Sequence, residues 1–308
     1  MERTTYERAF QAFSQQAPAT LKILIAPGIV GMDEIKEAAA LQLFAKEPIH
    51  ILLLGDPGTG KTEILRAIED LAPVASFGLG SGTSGAGLAV TVKGKEVSKG
   101  LLPLADNGIC CIDELNLMKH QDMASLYNAM EKGFITYNKG SDKLRFDARV
   151  RVLATANPKG DRFVGNTPDT IQKQLPFESA LLSRFHLAFI VRKPTSQEFV
   201  QITRSIVTRE RKAIKKTDAA FLKRYVANAE SLDVEFSKAY EPAIVGFIED
   251  IAKDEKDFIT DVSPRLVIGI IRLAKACARM RLSATVDKTD IKTALRLLKS
   301  SLYWRKKT

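Results

Sequence analysis

The 308-residue sequence predicts an α/β fold, in which helices cover both faces of a parallel sheet and a smaller all-helical domain follows. Two apolar runs of strand length, residues 51–54 and 108–112, end abruptly in a glycine-rich turn and in two carboxylates, respectively. After Pro194 the alternation of strand and helix patterns stops, and the remaining segments have helical periodicity. We therefore expect an α/β domain over residues 1–193 and a helical domain over residues 194–308.

The composition excludes several classes of protein. Hydrophobic residues make up 45% of the chain, which is typical of a globular protein with a sizeable core. No apolar run approaches the ~20 residues that span a bilayer, and the charged amino terminus is unlike a secretory signal, so we expect a cytoplasmic protein. The formal net charge of +10 favours an acidic partner such as nucleic acid. The cysteines lack metal-ligand spacing and are expected to be reduced core residues: Cys110, Cys111 and Cys277.

The first apolar run leads into the sequence GDPGTGKT, residues 55–62. Glycines let backbone N–H groups turn inward around an anion, and the following helix adds the partial positive charge of its amino end. Lys61 is then suited to the β- and γ-phosphates of a nucleotide, and the Thr62 hydroxyl to Mg²⁺. The alternative is a glycine-rich turn that arose by chance. The candidate nucleotide-binding residues are Gly55, Asp56, Pro57, Gly58, Thr59, Gly60, Lys61 and Thr62.

The segments that flank this turn have simpler patterns. A helical lead-in up to residue 28 and an alanine-rich helix within residues 33–45 precede it. Residues 76–87 are rich in glycine, serine and threonine, which predicts a flexible loop. Residues 88–102 form two alternating pieces about a Gly-Lys turn, which predicts a small basic hairpin. Its lysines are Lys93, Lys95 and Lys99.

Two carboxylates, Asp113 and Glu114, end the second apolar run. A buried parallel strand delivers its last residues to the sheet edge where ligands bind in open α/β folds. Asp113 is then suited to the Mg²⁺ shell, and Glu114 to orienting and polarising an attacking water. The alternative is that the two carboxylates cap the helix that follows Leu115. The phosphate loop upstream favours the catalytic interpretation.

A second hairpin and a third strand follow. Residues 134–149 show strand-like alternation about an Asn-Lys-Gly turn, which predicts a hairpin with Lys139 at its tip. The strand over residues 150–156 ends at Asn157, which is placed to contact a γ-phosphate or the attacking water. Considered alone, Lys139 is also typical of a solvated hairpin and Asn157 of a turn-forming residue.

The last part of the chain contains two arginines in distinctive positions. Arg184 lies in a Ser-Arg-Phe turn before the final strand pattern. Ser263 and Pro264 predict the start of a long helix, with Arg265 in its first turn. The apolar face of this helix is predicted to contain Leu266, Ile270, Leu273 and Cys277.

Several segments together resemble the AAA+ ATPases and, within them, the minichromosome maintenance (MCM) replicative helicases. The resemblance is carried, in order, by HILLLGDPGTGKT, SGAGLAVTV, LADNGICCIDELNLM, YNAMEKGFITYNKG, VLATANPKG, LPFESALLSRF and SPRLVIGIIRLAKACARMRLS. It extends over nearly the whole chain. It implies an AAA+ P-loop NTPase αβα sandwich with a helical lid, ATP and Mg²⁺ as cofactors, and an ATP-hydrolysing motor that acts on DNA.

The resemblance also implies roles for individual residues. The implied site consists of Lys61 and Thr62 (Walker A), Asp113 and Glu114 (Walker B), Asn157 (sensor 1), Arg184 (arginine finger) and Arg265 (sensor 2). In this family the two arginines act on the ATP of a neighbouring subunit, which implies a homo-oligomeric ring, usually a hexamer. The hairpin over residues 134–149 matches the pre-sensor-1 hairpin, and residues 88–102 match the helix-2 insert. Their DNA-binding residues would be Lys139, Lys93, Lys95 and Lys99.

Some positions depart from the family pattern. The turn reads GTGKT where the family usually has GTAKS, Asn116 and Leu117 replace an acidic and basic pair, and His186 replaces an aspartate. The sequence contains no match to the zinc-bearing, oligonucleotide-binding amino-terminal region of the family, so we expect no zinc. We expect a nucleoid-associated protein of a prokaryote.

Two other functions are compatible with these motifs. One is a protein-remodelling ATPase of the magnesium chelatase or MoxR type, which shares the inserted hairpins. The other is a structural subunit that binds nucleotide without hydrolysing it. The presence of both Asp113 and Glu114, together with Asn157 and both arginines, favours hydrolysis.

Overall fold

The computed structural model describes residues 2–93, 96–139, 142–165, 167–208, 216–254, 258 and 262–303. Its central element is a five-stranded parallel sheet. The strands of this sheet are β1 (Ile51–Gly55), β2 (Ala75–Leu79), β5 (Ile109–Asp113), β8 (Arg151–Ala156) and β9 (Leu187–Val191). They are arranged in the spatial order β2-β5-β8-β1-β9. The first α/β part of the sequence therefore forms the parallel sheet that its apolar runs predict.

Helices precede, separate and follow the strands. In the described part of the chain they are α1 (Glu2–Ser14), α2 (Ala17–Leu24), α3 (Asp33–Leu43), α4 (Lys61–Leu71), α5 (Gly85–Leu88), α6 (Leu101–Leu104), α7 (Ala124–Lys132), α8 (Pro168–Lys173), α9 (Ser179–Leu182), α10 (Ser196–Thr208), α11 (Lys216–Glu230), α12 (Glu241–Ala252), α13 (Pro264–Met280) and α14 (Lys288–Leu302). None of them combines the length and apolar character needed to cross a membrane.

The central strands are buried on both faces of the sheet. Side chains of a strand alternate between faces, so Ile51 and Leu53 pack with α3, α4 and the carboxyl-terminal helices. Leu52 and Leu54 instead pack with α7 and the segments around the two hairpins. One hydrophobic core thus lies on each face of the sheet, between the strands and the helices. This three-layer αβα sandwich confirms the predicted fold class.

Two antiparallel hairpins extend from this sandwich at the predicted positions. The first pairs β3 (Val90–Lys93) with β4 (Glu96–Lys99), and the second pairs β6 (Phe134–Lys139) with β7 (Asp142–Asp147). Both hairpins that the sequence predicts are therefore confirmed.

The prediction of a flexible loop over residues 76–87 is wrong. Residues 75–79 form β2, the edge strand of the sheet, which pairs with β5 along its whole length. Leu101 packs closely on this strand, since a Cβ added at Gly78 would lie 2.2 Å from Leu101 Cδ1. Residues 80–82 form a short 3₁₀ turn, and residues 85–88 form α5. The small residues that suggested a loop instead allow close packing at the sheet edge.

The helical segments after β9 pack against the sandwich through α11, α13 and α14. The predicted apolar face of α13, including Leu266 and Ile270, is buried. At the amino terminus, Phe10 and Phe13 of α1 pack edge-on against Tyr225 of α11. The three cysteines are buried and free, as predicted, and burial raises the pKa of Cys110 to about 11.

A buried arginine connects three of these parts. Arg151, the first residue of β8, forms an ion pair with Glu230 at the end of α11. Its guanidinium also donates to the carbonyl oxygens of Ala45 at 2.7 Å, after α3, and of Asn107 at 3.1 Å, before β5. Only 5% of the Arg151 side chain is exposed. Without its guanidinium these acceptors would lose their hydrogen-bond donor, and water could not reach them to replace it.

We expect Arg151→Met to lower the free energy of unfolding by about 3 kcal/mol, because several carbonyl oxygens and a half-buried carboxylate lose their donor. Urea denaturation at pH 7 measures the change. Arg149→Met is the matched control, since Arg149 forms an exposed ion pair with Asp106 on the same side of the sheet. Its stability should change little. Equal losses in the two variants would contradict a connecting role for Arg151.

Candidate nucleotide-binding site

The glycine-rich turn lies between the carboxyl end of β1 and the amino end of α4. Gly55 closes β1 beside β9, where a Cβ would come within 2.0 Å of the Val191 carbonyl oxygen. Gly58 and Gly60 have φ values of +74° and +87°, in the left-handed region that favours glycine. The turn therefore leads into a helix amino terminus, where backbone N–H groups and the helix dipole favour an anion.

Lys61, the first residue of α4, is buried within this turn. Its Nζ donates hydrogen bonds of 2.7 Å to the carbonyl oxygens of both Gly55 and Asp56. Burial lowers the pKa of Lys61 to about 8, and the negative charges of Asp56, Asp113 and Glu114 oppose this effect. The ammonium group is thus surrounded by acceptors at the point where the turn enters the helix.

Asp113, the last residue of β5, connects the turn with the neighbouring strands. Its Oδ2 accepts a 2.9 Å hydrogen bond from the Thr62 hydroxyl, at the start of α4. Its Oδ1 accepts a 2.5 Å hydrogen bond from the Thr155 hydroxyl on β8. A hydroxyl and a carboxylate therefore lie in direct contact, close to Lys61.

These oxygen atoms fit Mg²⁺ better than a transition metal. Mg²⁺ takes oxygen ligands and is commonly held by one or two carboxylates together with phosphates and water. Asp113 and Thr62 supply that kind of donor. Among the described residues there is no group of three or more histidine, cysteine, aspartate or glutamate side chains that could hold a metal ion. The donor set therefore suits a magnesium ion that arrives with a phosphate ligand.

Glu114 follows Asp113 in an unusual backbone conformation. Its φ is +53°, so a residue with a Cβ adopts the left-handed region. Its N–H donates a 2.9 Å hydrogen bond to Thr155 Oγ1. Gly80 packs against this residue: a Cβ added at Gly80 would lie only 2.1 Å from the carbonyl oxygen of Glu114. Contacts from two sides thus maintain the turn that begins at Glu114.

Asn157 directly follows β8 and lies at the same edge of the sheet as the glycine-rich turn. The parallel register pairs Leu54 at the end of β1 with Ala156 at the end of β8. The backbone N–H of Asn157 donates a 2.9 Å hydrogen bond to Asn116 Oδ1 in the loop after β5. The structure therefore brings Lys61, Thr62, Asp113, Glu114 and Asn157 to one edge of three adjacent strands.

The Asp56 side chain contacts two other segments. Its carboxylate is buried and accepts hydrogen bonds from the backbone N–H groups of Phe163 at 2.8 Å and Lys193 at 3.0 Å. The first of these follows Asn157, and the second lies between β9 and α10. Asp56 therefore attaches the glycine-rich turn to the segment that leads into the helical region.

Arg184 lies at the opposite edge of the sheet. It precedes β9, which runs parallel to β1, so it is near the amino ends of the strands. Its Nη2 forms a 2.9 Å ion pair with Glu131 Oε1, and its guanidinium lies 4.6 Å from the ring centre of Tyr127. The Arg184 side chain is 18% exposed and that of Glu131 is 38% exposed, so this pair is partly accessible to solvent.

Arg265, in the first turn of α13, belongs to the same cluster. Its Nη1 donates a hydrogen bond to the Ser183 carbonyl oxygen. Partial burial lowers the pKa of Arg265, Glu131 opposes this and the nearby Arg184 adds to it. The structure therefore brings the two predicted arginines together, with one carboxylate close to both.

His186 is buried near Arg184 and Arg265. It is the residue that replaces the aspartate of the family pattern. Its Nδ1 lies 3.1 Å from the backbone N–H donor of His50, and its Nε2 lies 3.1 Å from Arg272 Nη1 on α13. Burial lowers the pKa of His186 well below its usual value, as do the adjacent His50 and Arg272. A neutral histidine thus connects the sheet with the helical region.

Three of the four predicted lysines lie on strands of the two hairpins. The backbone of Lys93 ends β3 and that of Lys139 ends β6. Lys99 ends β4 with an exposed side chain and lines a surface depression with Arg145 and other residues of β7. Lys95 lies outside the described residues. The bases of the two hairpins are therefore neighbours, on the same side of the molecule.

Several contacts of this site were not predicted from the sequence. Thr155 joins Asp113 and Glu114, Asn116 joins the loops after β5 and β8, and Glu131 lies between the two arginines. A threonine between the two alanines at the end of β8 was a detectable signal. Glu131 gave none, because an exposed carboxylate on a helix is common.

Comparisons with known proteins agree with this arrangement. Residues 7–210 match the family described as "MCM P-loop domain", and residues 220–302 match the "MCM AAA-lid domain". The chain is 31% identical over 298 residues to the minichromosome maintenance protein MCM of Saccharolobus solfataricus, covering 89% of this chain and 43% of that protein. It is 29% identical to the DNA replication licensing factor mcm7-B of Xenopus laevis, covering 97% of this chain and 45% of that protein. It is 33% identical to the DNA replication licensing factor MCM4 of Arabidopsis thaliana, covering 96% and 38%.

The parallel sheet, the phosphate-loop geometry and the helical region define a P-loop nucleotide-binding domain with a lid. The matches to both family descriptions extend over most of the chain. The chain belongs to the MCM family. It spans less than half of the length of the relatives described above.

We expect Lys61 to titrate with a midpoint near pH 8, whereas the ordinary pKa of a lysine is 10.5. Because this pKa lies below the ordinary value, burying the charged form of Lys61 lowers the free energy of unfolding. The loss is complete below about pH 8 and disappears as the pH rises to 10.5. Carbon NMR of the lysine Cε measures the midpoint in protein without nucleotide, and Lys61→Met assigns the signal.

Glu114→Gln should move this midpoint further down, because it removes a negative charge that favours the ammonium form. Asp250→Asn, in an exposed ion pair on α12, is the matched control and should leave it unchanged. A midpoint above pH 10 for Lys61 would contradict the buried position of its side chain.

Proposed function

We propose that this chain binds ATP with Mg²⁺ and hydrolyses it as the motor domain of a ring that acts on DNA. The observation that carries the proposal is the direct hydrogen bond between Thr62 and Asp113 beside the buried Lys61. Backbone N–H groups of the glycine-rich turn would surround the phosphates, and Lys61 would contact the β- and γ-phosphates. Thr62 and Asp113 would hold the metal ion, which supplies charge neutralisation on the transferred phosphoryl group.

Glu114 and Asn157 are suited to the attacking water. Glu114 is partly exposed at the carboxyl edge of the sheet, directly after the metal-binding carboxylate. A carboxylate there accepts a hydrogen bond from water and orients it towards the phosphorus atom. Asn157 lies after the adjacent strand, partly exposed, and its amide can contact the same water or the γ-phosphate.

Arg184 and Arg265 would complete the site of a neighbouring copy. The five residues of β9 separate Arg184 from the level of its own phosphate loop, a distance of about 16 Å at ~3.3 Å per residue. Arg184, which pairs with Glu131 in this structure, is therefore too far from its own nucleotide and would act on the nucleotide of a partner. An arginine finger supplied in trans typically contributes on the order of 10³- to 10⁵-fold in rate.

A head-to-tail interface of this kind closes into a ring when the rotation between subunits allows it. We propose a hexamer, and a functional division of each subunit between residues 193 and 194, after β9. The relatives are named as DNA replication licensing factors and as a minichromosome maintenance protein, which supports DNA as the partner. The net charge of +10 and the two basic hairpins support contact with a phosphate backbone.

Mixing two inactive variants tests the shared site. Arg184→Ala and Glu114→Gln should each reduce ATP hydrolysis by at least 10³-fold. In a random equal mixture, some interfaces combine an intact Glu114 with an intact Arg184 from the neighbour, so about one quarter of the activity should return. The rate of phosphate release at increasing ratios of the two variants measures the recovery.

The matched control mixes Arg184→Ala with Arg265→Ala. Because both arginines come from the same edge of one subunit, every interface in this mixture lacks one of them, and activity should stay low. Recovery in this control, or its absence in the first mixture, would contradict the trans arrangement.

Lys139→Ala should weaken binding of single-stranded DNA and reduce the slope of log Kd against log salt by about 0.7 for each phosphate that is no longer neutralised. It should also reduce the stimulation of ATP hydrolysis by DNA, while hydrolysis without DNA stays unchanged. Fluorescence anisotropy over a range of salt concentrations measures the slope. Lys253→Ala, on the exposed surface after α12, is the control. An unchanged slope for Lys139→Ala would argue against a DNA-contacting hairpin.

A further inference from the structure

Thr155 contacts both Asp113, at the end of β5, and Glu114, the residue that follows it. It is the next-to-last residue of β8 and only 1% of its surface is exposed. Its hydroxyl lies 2.9 Å from the backbone nitrogen of Glu114 and 2.5 Å from Oδ1 of Asp113. A buried hydroxyl among apolar strand residues is costly to desolvate unless both its donor and acceptor capacities are used.

The direction of each hydrogen bond follows from the number of protons. The amide of Glu114 can only donate, so Thr155 Oγ1 accepts from it. The single hydroxyl proton of Thr155 is then available to Asp113 Oδ1. Oδ2, the other oxygen of the Asp113 carboxylate, accepts from the Thr62 hydroxyl. Both Asp113 oxygens are therefore oriented, one by the sheet and one by the start of α4.

The same hydroxyl stabilises the backbone of Glu114. Glu114 has φ +53° and ψ 46°, which is unfavourable for a residue with a Cβ. The hydrogen bond from its N–H to Thr155 fixes the peptide group that enters this conformation. The conformation in turn determines the direction in which the Glu114 side chain leaves the end of β5.

We propose that Thr155 is a positioning residue that sets both carboxylates: Asp113 for the metal ion and Glu114 for the attacking water. The proposal rests on the ATPase function proposed above and adds to it a dependence on one hydroxyl of the neighbouring strand. Hydrogen-bonding partners of metal-binding carboxylates typically change metal affinity or activity by about 10- to 100-fold when they are removed. Thr155 makes that kind of contact with Asp113.

The experiment compares Thr155→Val, which keeps the side-chain shape without the hydroxyl, with Thr155→Ser, which keeps the hydroxyl. The first measurement is the binding of a fluorescent ADP analogue as Mg²⁺ is increased, which does not depend on hydrolysis. For Thr155→Val, the Mg²⁺ concentration at half-saturation should rise by about 10-fold or more, while binding of the analogue in EDTA stays unchanged. Thr155→Ser should remain within about threefold of the wild type.

The second measurement separates kcat from KM for ATP hydrolysis at saturating Mg²⁺. Thr155→Val should lower kcat by about 10- to 100-fold with little change in KM, since Glu114 loses its orientation but the phosphate loop does not. Ser76→Ala is the matched control. It removes a buried hydroxyl on β2, the edge strand of the sheet, which donates to the Leu101 carbonyl oxygen. It should leave both the Mg²⁺ dependence and kcat unchanged.

A Thr155→Val protein with the wild-type Mg²⁺ dependence and kcat would overturn the proposal, even if its melting temperature fell. If Thr155→Val does not fold, Thr155→Cys replaces it, since a thiol is only a weak hydrogen-bonding group, and the same shifts are expected. A wild-type protein that binds the analogue with Mg²⁺ but hydrolyses no ATP would contradict the proposed ATPase function. The Mg²⁺ shift would still decide whether Thr155 positions Asp113.

Discussion

The parallel direction of the five central strands is the constraint on which the rest of the structure depends. Because all five run the same way, every residue that follows a strand is collected at one edge, and every residue that precedes a strand at the other. The glycine-rich turn, Asp113 and Asn157 lie at the carboxyl ends of β1, β5 and β8. These three strands are adjacent, so the three groups lie close together. Burial of both faces of the sheet fixes the register, since a shift of one residue would exchange the two cores.

The same constraint separates the arginines from the phosphate loop of their own chain. Arg184 precedes β9, and α13 lies along the amino edge of the sheet. Arg272 of α13 contacts the Pro48 carbonyl oxygen and His186, and Arg279 forms an ion pair with Glu47. The α13 helix is therefore attached to the edge opposite the glycine-rich turn, so the chain has this turn at one edge of the sheet and the two arginines at the other.

Buried polar groups hold these edges together with high specificity. Asp56 connects the glycine-rich turn to the backbone on both sides of it, and Arg151 connects α3, β8 and α11. Each of these groups is almost fully buried, and each is satisfied by several partners. Loss of one partner would leave a buried charge uncompensated, which is costly in free energy. Asp56 thereby joins the phosphate loop to Lys193, in the segment that precedes α10.

The sequence by itself determined the features that depend on neighbouring residues in the chain: the phosphate loop after β1, the carboxylates after β5, both hairpins and the apolar face of α13. Each is specified by a local pattern of glycine, alternation or helical spacing. Only the tertiary structure decided the position of β2, whose small residues suggested a loop until they were seen against Leu101 at the sheet edge. It also decided the partners of Asp113, since Thr62 and Thr155 lie 51 and 42 residues away along the chain. The physical reason is that local patterns determine which strands and turns form. Hydrogen bonds between strand ends depend instead on which strands are neighbours in the sheet.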